Sequence, residues 1–423
     1  MNNENEAVAA PTAGTSAVGR NPLIFLFVTR LIDAIGFGIV MPVLPQLLLD
    51  MGEPDIAAAT RTGGILLVTY AGLQFFFAPV MGNLSDRFGR RPVILASLFA
   101  YGVDYLLMGF APSVLWLFVG RAVAGVAGAV YVPSNAFIAD VTPPEKRAQA
   151  FGLMGSAFGL GFILGPGIGG LLGELGPRAP FFAAAALAGV NLMFGVFVLP
   201  ESLPRERRRT FSWRRANPLG AVTMLQHYPG VLLYALAIVV HLIGHNVYPS
   251  TWAFFMTAKF ASSTGMIGAT LRATGISMAL AQAFVTGRLS KRVGEVRAAV
   301  FGLSVAVAVM VGYAFITDVW MVFPLTLIGA LQSVAYPALN AMMSKSVPAN
   351  AQGELQGGVA SLSSIANVLG PLLMSQTLAF FTSTMTPVYF AGAAFILAAA
   401  MNLTAIGLLL TRRHSEQPGA RSP

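Results

Sequence analysis

The chain has 423 residues, 56% of them hydrophobic and only 10% charged, with a mean hydropathy of +0.71. A soluble domain carries about 25% charged residues, so this composition excludes one and calls for a membrane. The net charge of +9 does not indicate nucleic acid, because the arginines cluster between apolar runs, as membrane-flanking charges do. Cysteine is absent, which excludes disulfides, thiolate chemistry and iron–sulfur ligation.

Residues 1–21 are small and polar, with no basic start or apolar core, and read as a cytoplasmic tail rather than a cleaved signal. A bilayer-spanning helix needs about 20 mainly apolar residues. Twelve such runs follow: 22–49, 62–84, 92–111, 113–139, 147–172, 179–200, 229–258, 265–288, 297–317, 319–343, 353–380 and 386–411. They are long, Ala/Leu/Gly-rich and non-alternating, unlike the roughly ten-residue alternating strands of a membrane barrel. The expected fold class is all-α integral membrane, with residues 22–200 and 229–411 as two six-helix bundles. Residues 201–228 form the expected cytoplasmic linker and 412–423 a second tail. One side of the membrane collects 20 of the 26 lysines and arginines; Arg61, Arg178 and Lys259 lie on the other. That imbalance predicts both termini in the cytoplasm.

Run 1 holds Arg30 and Asp33, and ionisable residues inside membrane helices are costly and usually functional. Asp33 lies about 16 Å into its helix, with Arg30 one turn away on the same face. A carboxyl whose surroundings alternate between apolar and cation-paired can load and release a proton. Asp33 is therefore expected to couple protons or bind substrate; the alternative is a neutralised Arg30–Asp33 pair that only packs. Gln74 in run 2 is a candidate polar cavity residue. The turn that follows, GNLSDRFGRRP (82–92), packs four charges between apolar runs. Gly82 and Gly89 permit close approach, and Asp86 suits a neighbouring helix N-terminus. Arg87, Arg90 and Arg91 are also read as simple topology anchors.

Run 3 carries Asp104, run 4 carries Arg121 in its interior, and Asp140 stands just beyond run 4. Run 5 contains GFILGPGIGG, with Gly161, Gly165, Pro166, Gly169 and Gly170; its proline removes a backbone donor and bends the helix. The segment ESLPRERRRTFSWRRANP (201–218) reads mainly as a topology device, with contact to anionic lipid or regulation as alternatives. In run 7, HLIGHNVYPSTW places His241 and His245 four residues apart. Histidine titrates near neutrality, so a coupling role stands beside a hydrogen-bonded lining role. The spacing also suits a metal, but no third ligand is in view and none is expected. Tyr248, Trp252, Phe254 and Phe255 either line an aromatic cavity or pack. Arg272 in run 8 favours an anionic or zwitterionic substrate if it faces a cavity, and means little if it snorkels outward.

The motifs repeat. At a shift of 205 residues Gly82 falls on Gly287, Tyr131 on Tyr336, Asn135 on Asn340, Pro143 on Pro348, and Gly165-Pro166 on Gly370-Pro371. Six helices return the chain to its starting side, so the halves are parallel repeats. Such repeats, with a site at the midplane, characterise rocking secondary transporters.

GNLSDRFGRR resembles the signature loop of the major facilitator superfamily, and LFVGRAVAGVAGAVYVP (117–133) resembles its helix-4 motif with an embedded arginine. GFILGPGIGG is similar to its helix-5 antiporter motif, and DAIGFGIVMPVLP (33–45) to the helix-1 pattern of its drug/proton antiporters. With LDM, VDYLLMGFAP and GELGPRAPFFAAA, the chain is most similar to the tetracycline/proton antiporter group, more closely in its first half. The resemblance implies that Asp86 sits at the helix-11 N-terminus near Gln352, with Arg90 bridging to Asp140, a latch between the halves when the outside is open. Lys291 and Lys345 replace Asp86 and Asp140 in the second copy, so the latch chemistry is expected to be lost there. The resemblance further ties Asp104 to transport and places Arg121 near helix 1. Helix 7 of the family tends to carry glutamines where this chain has His241 and His245. A helix-8 histidine and helix-9 aspartate of the tetracycline pumps match Met278 and Ala306.

The expected function is proton-coupled antiport that exports small amphipathic drugs or metabolites across a bacterial inner membrane, tetracycline-like compounds among the candidates. An uptake symporter on the same fold is the alternative. No nucleophile constellation suggests an enzyme, and a passive channel has no use for buried titratable groups. The expected partners are a small amphipathic solute, protons and the lipid bilayer, with no nucleic acid and no cofactor, and a monomer as the working unit.

Overall fold

The computed structural model describes residues 21–212, 229–348 and 351–415; the first tail, Arg214 and Arg215 of the linker, and the chain's end lie outside the described residues. Twelve membrane helices follow in order: α1 (Asn21–Val40), α2 (Ile56–Phe88), α3 (Arg90–Phe110), α4 (Val114–Val141), α5 (Pro144–Gly173) and α6 (Ala179–Val198) form the first six. α7 (Val231–Phe260), α8 (Thr264–Ala281, continuing through Gln282–Thr286 and Gly287–Val293), α9 (Glu295–Phe315), α10 (Val319–Lys345), α11 (Gln352–Thr382) and α12 (Ala393–Ser415) form the second six. Eleven of them, among the described residues, are long and apolar enough to cross a bilayer. α8 is the less apolar one, since Arg272, Gln282 and Arg288 lie along it.

Three ends differ most from the sequence expectation. Run 1 is two helices, because α1 stops at Val40 and a short helix, Leu44–Asp50, restarts with Pro45 in its first turn; Pro42 and Pro45 lack the N–H groups that continuity requires. α2 starts earlier, at Ile56, where the Asp55 carboxylate accepts the Ala58 N–H at 2.7 Å. α12 starts later, at Ala393, after Pro387 and Gly392; a Cβ on Gly392 would lie 2.5 Å from the Ala314 carbonyl of α9.

The repeat is visible in the backbone. Gly89 (φ +103°, ψ 159°) ends α2 and Gly294 (φ +81°, ψ 161°) ends α8, both in a conformation that side chains resist. α1 breaks at 41–43 and α7 at Asn246; α4 turns at 129–130 and α10 tightens to 3₁₀ geometry over Ala330–Val334.

The Arg-rich turns lie on one face of the bundle pair, hereafter the arginine-rich face, and the α5–α6 and α7–α8 turns lie on the far face. α5 packs against α1 within its own half and α8 across the boundary, while α2 crosses to α11. At the far face the halves touch. The Cβ of a residue at Gly170 would lie 2.7 Å from the Thr264 carbonyl, Gly63 abuts Phe254, and Gly64 abuts Ser375. Toward the arginine-rich face they part: nothing stands within 4 Å of a Cβ built on Gly152, Gly155 or Gly159 of α5, and Phe151, Phe158 and Phe284 are exposed. The central cleft is thus shut on the far face and open on the arginine-rich face.

Candidate functional site

The first half holds a buried polar cluster. Arg121 on α4 pairs with Asp104 on α3 at 2.5 Å, both almost wholly buried. Among the described residues Asp104 Oδ1 and Arg121 Nε have no hydrogen-bond partner. Arg121 lies over the Tyr70 ring and lines a small cavity with Phe37, Val40 and Met41, which places it beside α1. Its ion-pair partner is nevertheless Asp104, not Asp33. Asp33 is half-buried on α1, with Arg30, Tyr70, Tyr101 and Tyr105 in electrostatic reach. No ion pair forms within 4 Å of it among the described residues, so a neutralised Arg30–Asp33 contact pair is not what the geometry shows. Gln74 Nε2 donates to the Tyr70 hydroxyl at 3.2 Å, and the two meet Tyr101 at Gly128, where any side chain would collide with all three. The tyrosines were not singled out from the sequence. Their signal was a phenol in the middle of an apolar run, where the hydroxyl needs a partner.

The charged turn is a second cluster. Arg90 donates to Asp86 at 2.6 Å, to Ser85 at 2.6 Å and to Asp140 at 3.3 Å. Glu201 accepts the Arg90 backbone N–H at 2.9 Å, and Ser202 donates to Asp140. Gly89 is needed here for space as well as for its φ, because a side chain would strike the Glu201 carboxylate and Arg208. The start of the linker is therefore docked on the cluster, a use that its arginine content concealed. At the α11 N-terminus Gln352 is engaged by Ser344 and Val347, and Asp86 is committed to Arg90. The expected loss of this chemistry from the second copy needs correction. At a shift of 205, Arg90 becomes Glu295 and Asp140 becomes Lys345, and these two pair at 2.7 Å. The bridge survives with its charges exchanged.

α5 works on two sides. Gly161, Gly165 and Gly169, four residues apart, press against the α1 backbone at Leu31, Ile35 and Ile39; a Cβ on Gly165 would lie 2.6 Å from the Ile35 carbonyl. Pro166 fits against Gly38. The opposite side meets α8, where Gly170 faces Thr264 and Gly268, and Arg272 lies exposed over Gly167. At the end of α5 the Glu174 carboxylate accepts the Gly265 N–H at 2.7 Å and the Thr264 hydroxyl at 3.2 Å, capping α8 of the other half. The Gly265 N–H foremost, with the Ser263 and Thr264 hydroxyls, holds this carboxyl below its ordinary value of 4.5.

In the second half a cavity of about 450 Å³ is lined by His241 and His245 of α7, Met278, Gln282 and Thr286 of α8, and Gln332, Ser333 and Tyr336 of α10, among others. The structure thus brings both histidines to the wall that holds Met278. Ala306 is fully buried in packing on α9. Of the aromatic residues singled out, Trp252, Phe254 and Phe255 are buried, and Trp252 and Phe255 pack around Phe395.

A family model, Major Facilitator Superfamily, matches residues 26–371 and 234–423. The chain belongs to the Major Facilitator Superfamily. It is 43% identical over 391 residues to the class C tetracycline resistance protein of Escherichia coli, covering 92% of this chain and 96% of that one. The class B protein of Escherichia coli is 37% identical over 351 residues, covering 82% and 86%. A solved bacterial homologue of the human lysosomal transporter Spinster, inward-facing and unoccupied, shares the fold with a TM-score of 0.75 at 17% identity, covering 98% of this chain and 100% of that one. This member of the superfamily is accordingly a multi-pass membrane transporter and not an enzyme.

Proposed function

We propose that the chain is a proton-coupled antiporter that exports small amphipathic compounds by alternating access. The arginine-rich face is cytoplasmic, the membrane is a bacterial inner membrane, and a monomer suffices. Residues 22–200 and 229–411 are the moving bodies. One observation carries the reading: a cleft is shut at the far face by Glu174 and the α5–α8 glycines and open on the arginine-rich face, and α1, which packs on α5, carries a titratable group, Asp33, that forms no ion pair among the described residues. A carboxyl that can exchange protons where two bodies rock past each other couples a gradient to movement. Asp104–Arg121 organises the cluster, and the Arg90 network holds the turn that closes the cytoplasmic side.

The test is drug accumulation in inside-out vesicles that contain the protein. Acidifying the lumen should drive uptake of an amphipathic drug such as ethidium, and a protonophore should abolish it. Uptake that ignores the gradient for every drug tried would remove the coupling.

A further inference from the structure

Arg272 is a charge inside a membrane helix that faces away from the central cleft. Leu271, Met278 and Gln282 of α8 line the two cavities, and Arg272, on the other side of that helix, lines neither. It is exposed, and it makes no hydrogen bond or ion pair among the described residues.

Its surroundings are those of a lipid-facing seam. Ile276 and Leu280, four and eight residues further along the same face of α8, are exposed. So are Leu164, Ile168 and Leu171 on the adjoining face of α5. The stem of Arg272 lies over Gly167 of α5, where a Cβ would stand 3.2 Å from the arginine Cδ. Arg272 comes eight residues after Thr264, the start of α8, which is about 12 Å along the helix. A guanidinium facing lipid at that depth is costly unless it reaches the polar headgroups. Helical side chains lean toward the helix N-terminus, so this one runs toward the far face.

Higher on the same seam stands the opposite charge. Glu174 follows Gly167 by seven residues on α5, and Gly265 precedes Arg272 by seven on α8, two turns along the same faces. The Gly167–Arg272 contact and the Glu174–Gly265 hydrogen bond are therefore stacked along one seam, about 10 Å apart. Glu174 is exposed there, and it forms no ion pair with Arg272.

A ligand that satisfies both charges has its negative end deep, on Arg272, and its positive end at the surface, by Glu174. A phospholipid carries its phosphate at the end joined to the acyl chains, and an aminophospholipid holds an ammonium beyond it. Guanidinium and phosphate match as a bidentate pair. The exposed leucines and isoleucines give the acyl chains an apolar bed. A headgroup with net negative charge would be repelled by the Glu174 carboxylate.

We infer that the α5–α8 seam at the far face is a binding site for an aminophospholipid, with the lipid phosphate on Arg272 and its ammonium on Glu174. The headgroup then ties α5 of the first half to α8 of the second, across the contact that shuts the far face.

The experiment is native mass spectrometry of the purified full-length protein in detergent, with phosphatidylethanolamine, phosphatidylcholine or phosphatidylglycerol added singly. Phosphatidylethanolamine should bind more tightly than either of the others. Arg272→Gln should weaken it about tenfold, as loss of a charged hydrogen-bond partner does. Arg272→Lys should fall in between, because a point charge replaces the guanidinium fork. Arg205→Gln, an exposed change on the arginine-rich face, should leave it unaltered. In lipid-free detergent Arg272→Gln should melt at the wild-type temperature, since the side chain has no protein partner to lose. Phosphatidylethanolamine binding that survives Arg272→Gln intact overturns the site. So does phosphatidylglycerol or phosphatidylcholine bound as tightly as phosphatidylethanolamine. A lower melting temperature of Arg272→Gln without lipid would make the arginine a structural residue and overturn it too.

Discussion

Asp104 and Arg121 show how a buried pair and a lone acid differ. Removing one partner of a buried pair leaves an uncompensated charge and costs about 3–5 kcal/mol, whereas replacing both with apolar residues is often neutral. Asp104→Asn should therefore lower the melting temperature and transport together. The double change Asp104→Leu with Arg121→Met should restore the melting temperature but not transport. Transport regained by the double variant would reduce the pair to scaffolding. Asp33 forms no ion pair among the described residues, so Asp33→Asn should leave the melting temperature unchanged and abolish proton-driven export, since an amide cannot cycle a proton. Drug binding should survive. Normal gradient-driven transport by this variant would take Asp33 out of the mechanism.

The contact of α5 with α8 is the element that shuts the far face. Its glycines meet backbone to backbone, and Glu174 accepts N–H from the first turn of α8, where the helix dipole favours an anion. The carboxyl is held below its ordinary 4.5 when the face is closed and returns toward it when the face opens and the Gly265 bond is lost. A depressed carboxyl favours the closed form above its ordinary range, and that contribution is lost as the outer pH falls through the lowered value. Glu174→Gln should open the far face at all pH values. The chain has no native cysteine, so a single cysteine at Met266, half-buried beside this contact, can report on it. An impermeant maleimide should label it faster in Glu174→Gln, and faster in the parent as the pH at that face falls below the carboxyl's ordinary 4.5. Equal labelling rates in both proteins would mean that the glycines close this face alone.

At the scale of the whole molecule, two parallel copies carry one architecture and opposite charges. Arg90 with Asp140 and Glu295 with Lys345 occupy equivalent positions with polarity exchanged, and Lys291 stands where Asp86 does. The arginine-rich ends of the two halves are therefore not equivalent. Asp86→Asn should slow turnover with little change in drug affinity, because it alters how the halves meet rather than the cavity; a loss confined to affinity would contradict this. Substrate choice belongs to the same scale. Met278 lines the second-half cavity without a ligand or a charge, and Ala306 is withdrawn into packing. A missing partner in a desolvated site costs about 1–3 kcal/mol, roughly ten- to a hundredfold in affinity. Expression in a sensitive host should therefore raise tetracycline tolerance far less than the class C relative does. Equal tolerance would show that His241 and His245, on the same wall, serve in place of the absent pair.

Hydropathy alone marked out the twelve helices, because a bilayer admits one backbone solution for each apolar run, and the spacing of the motifs revealed the duplication. The acids and Arg121 were legible for the same reason: an ionisable group in a greasy run stands out whatever it touches. Contact was not legible. That Arg121 reaches Asp104 rather than Asp33, that Glu201 returns from the linker to Arg90, and that Glu295 pairs with Lys345 depend on which helix faces are brought together. Gln332 inside α10, buried and donating to the Tyr248 hydroxyl, was equally hidden, since one polar residue in an apolar run reads as nothing until packing has removed its water. Only the tertiary structure decides that, because burial and hydrogen bonding belong to neighbours distant in the chain.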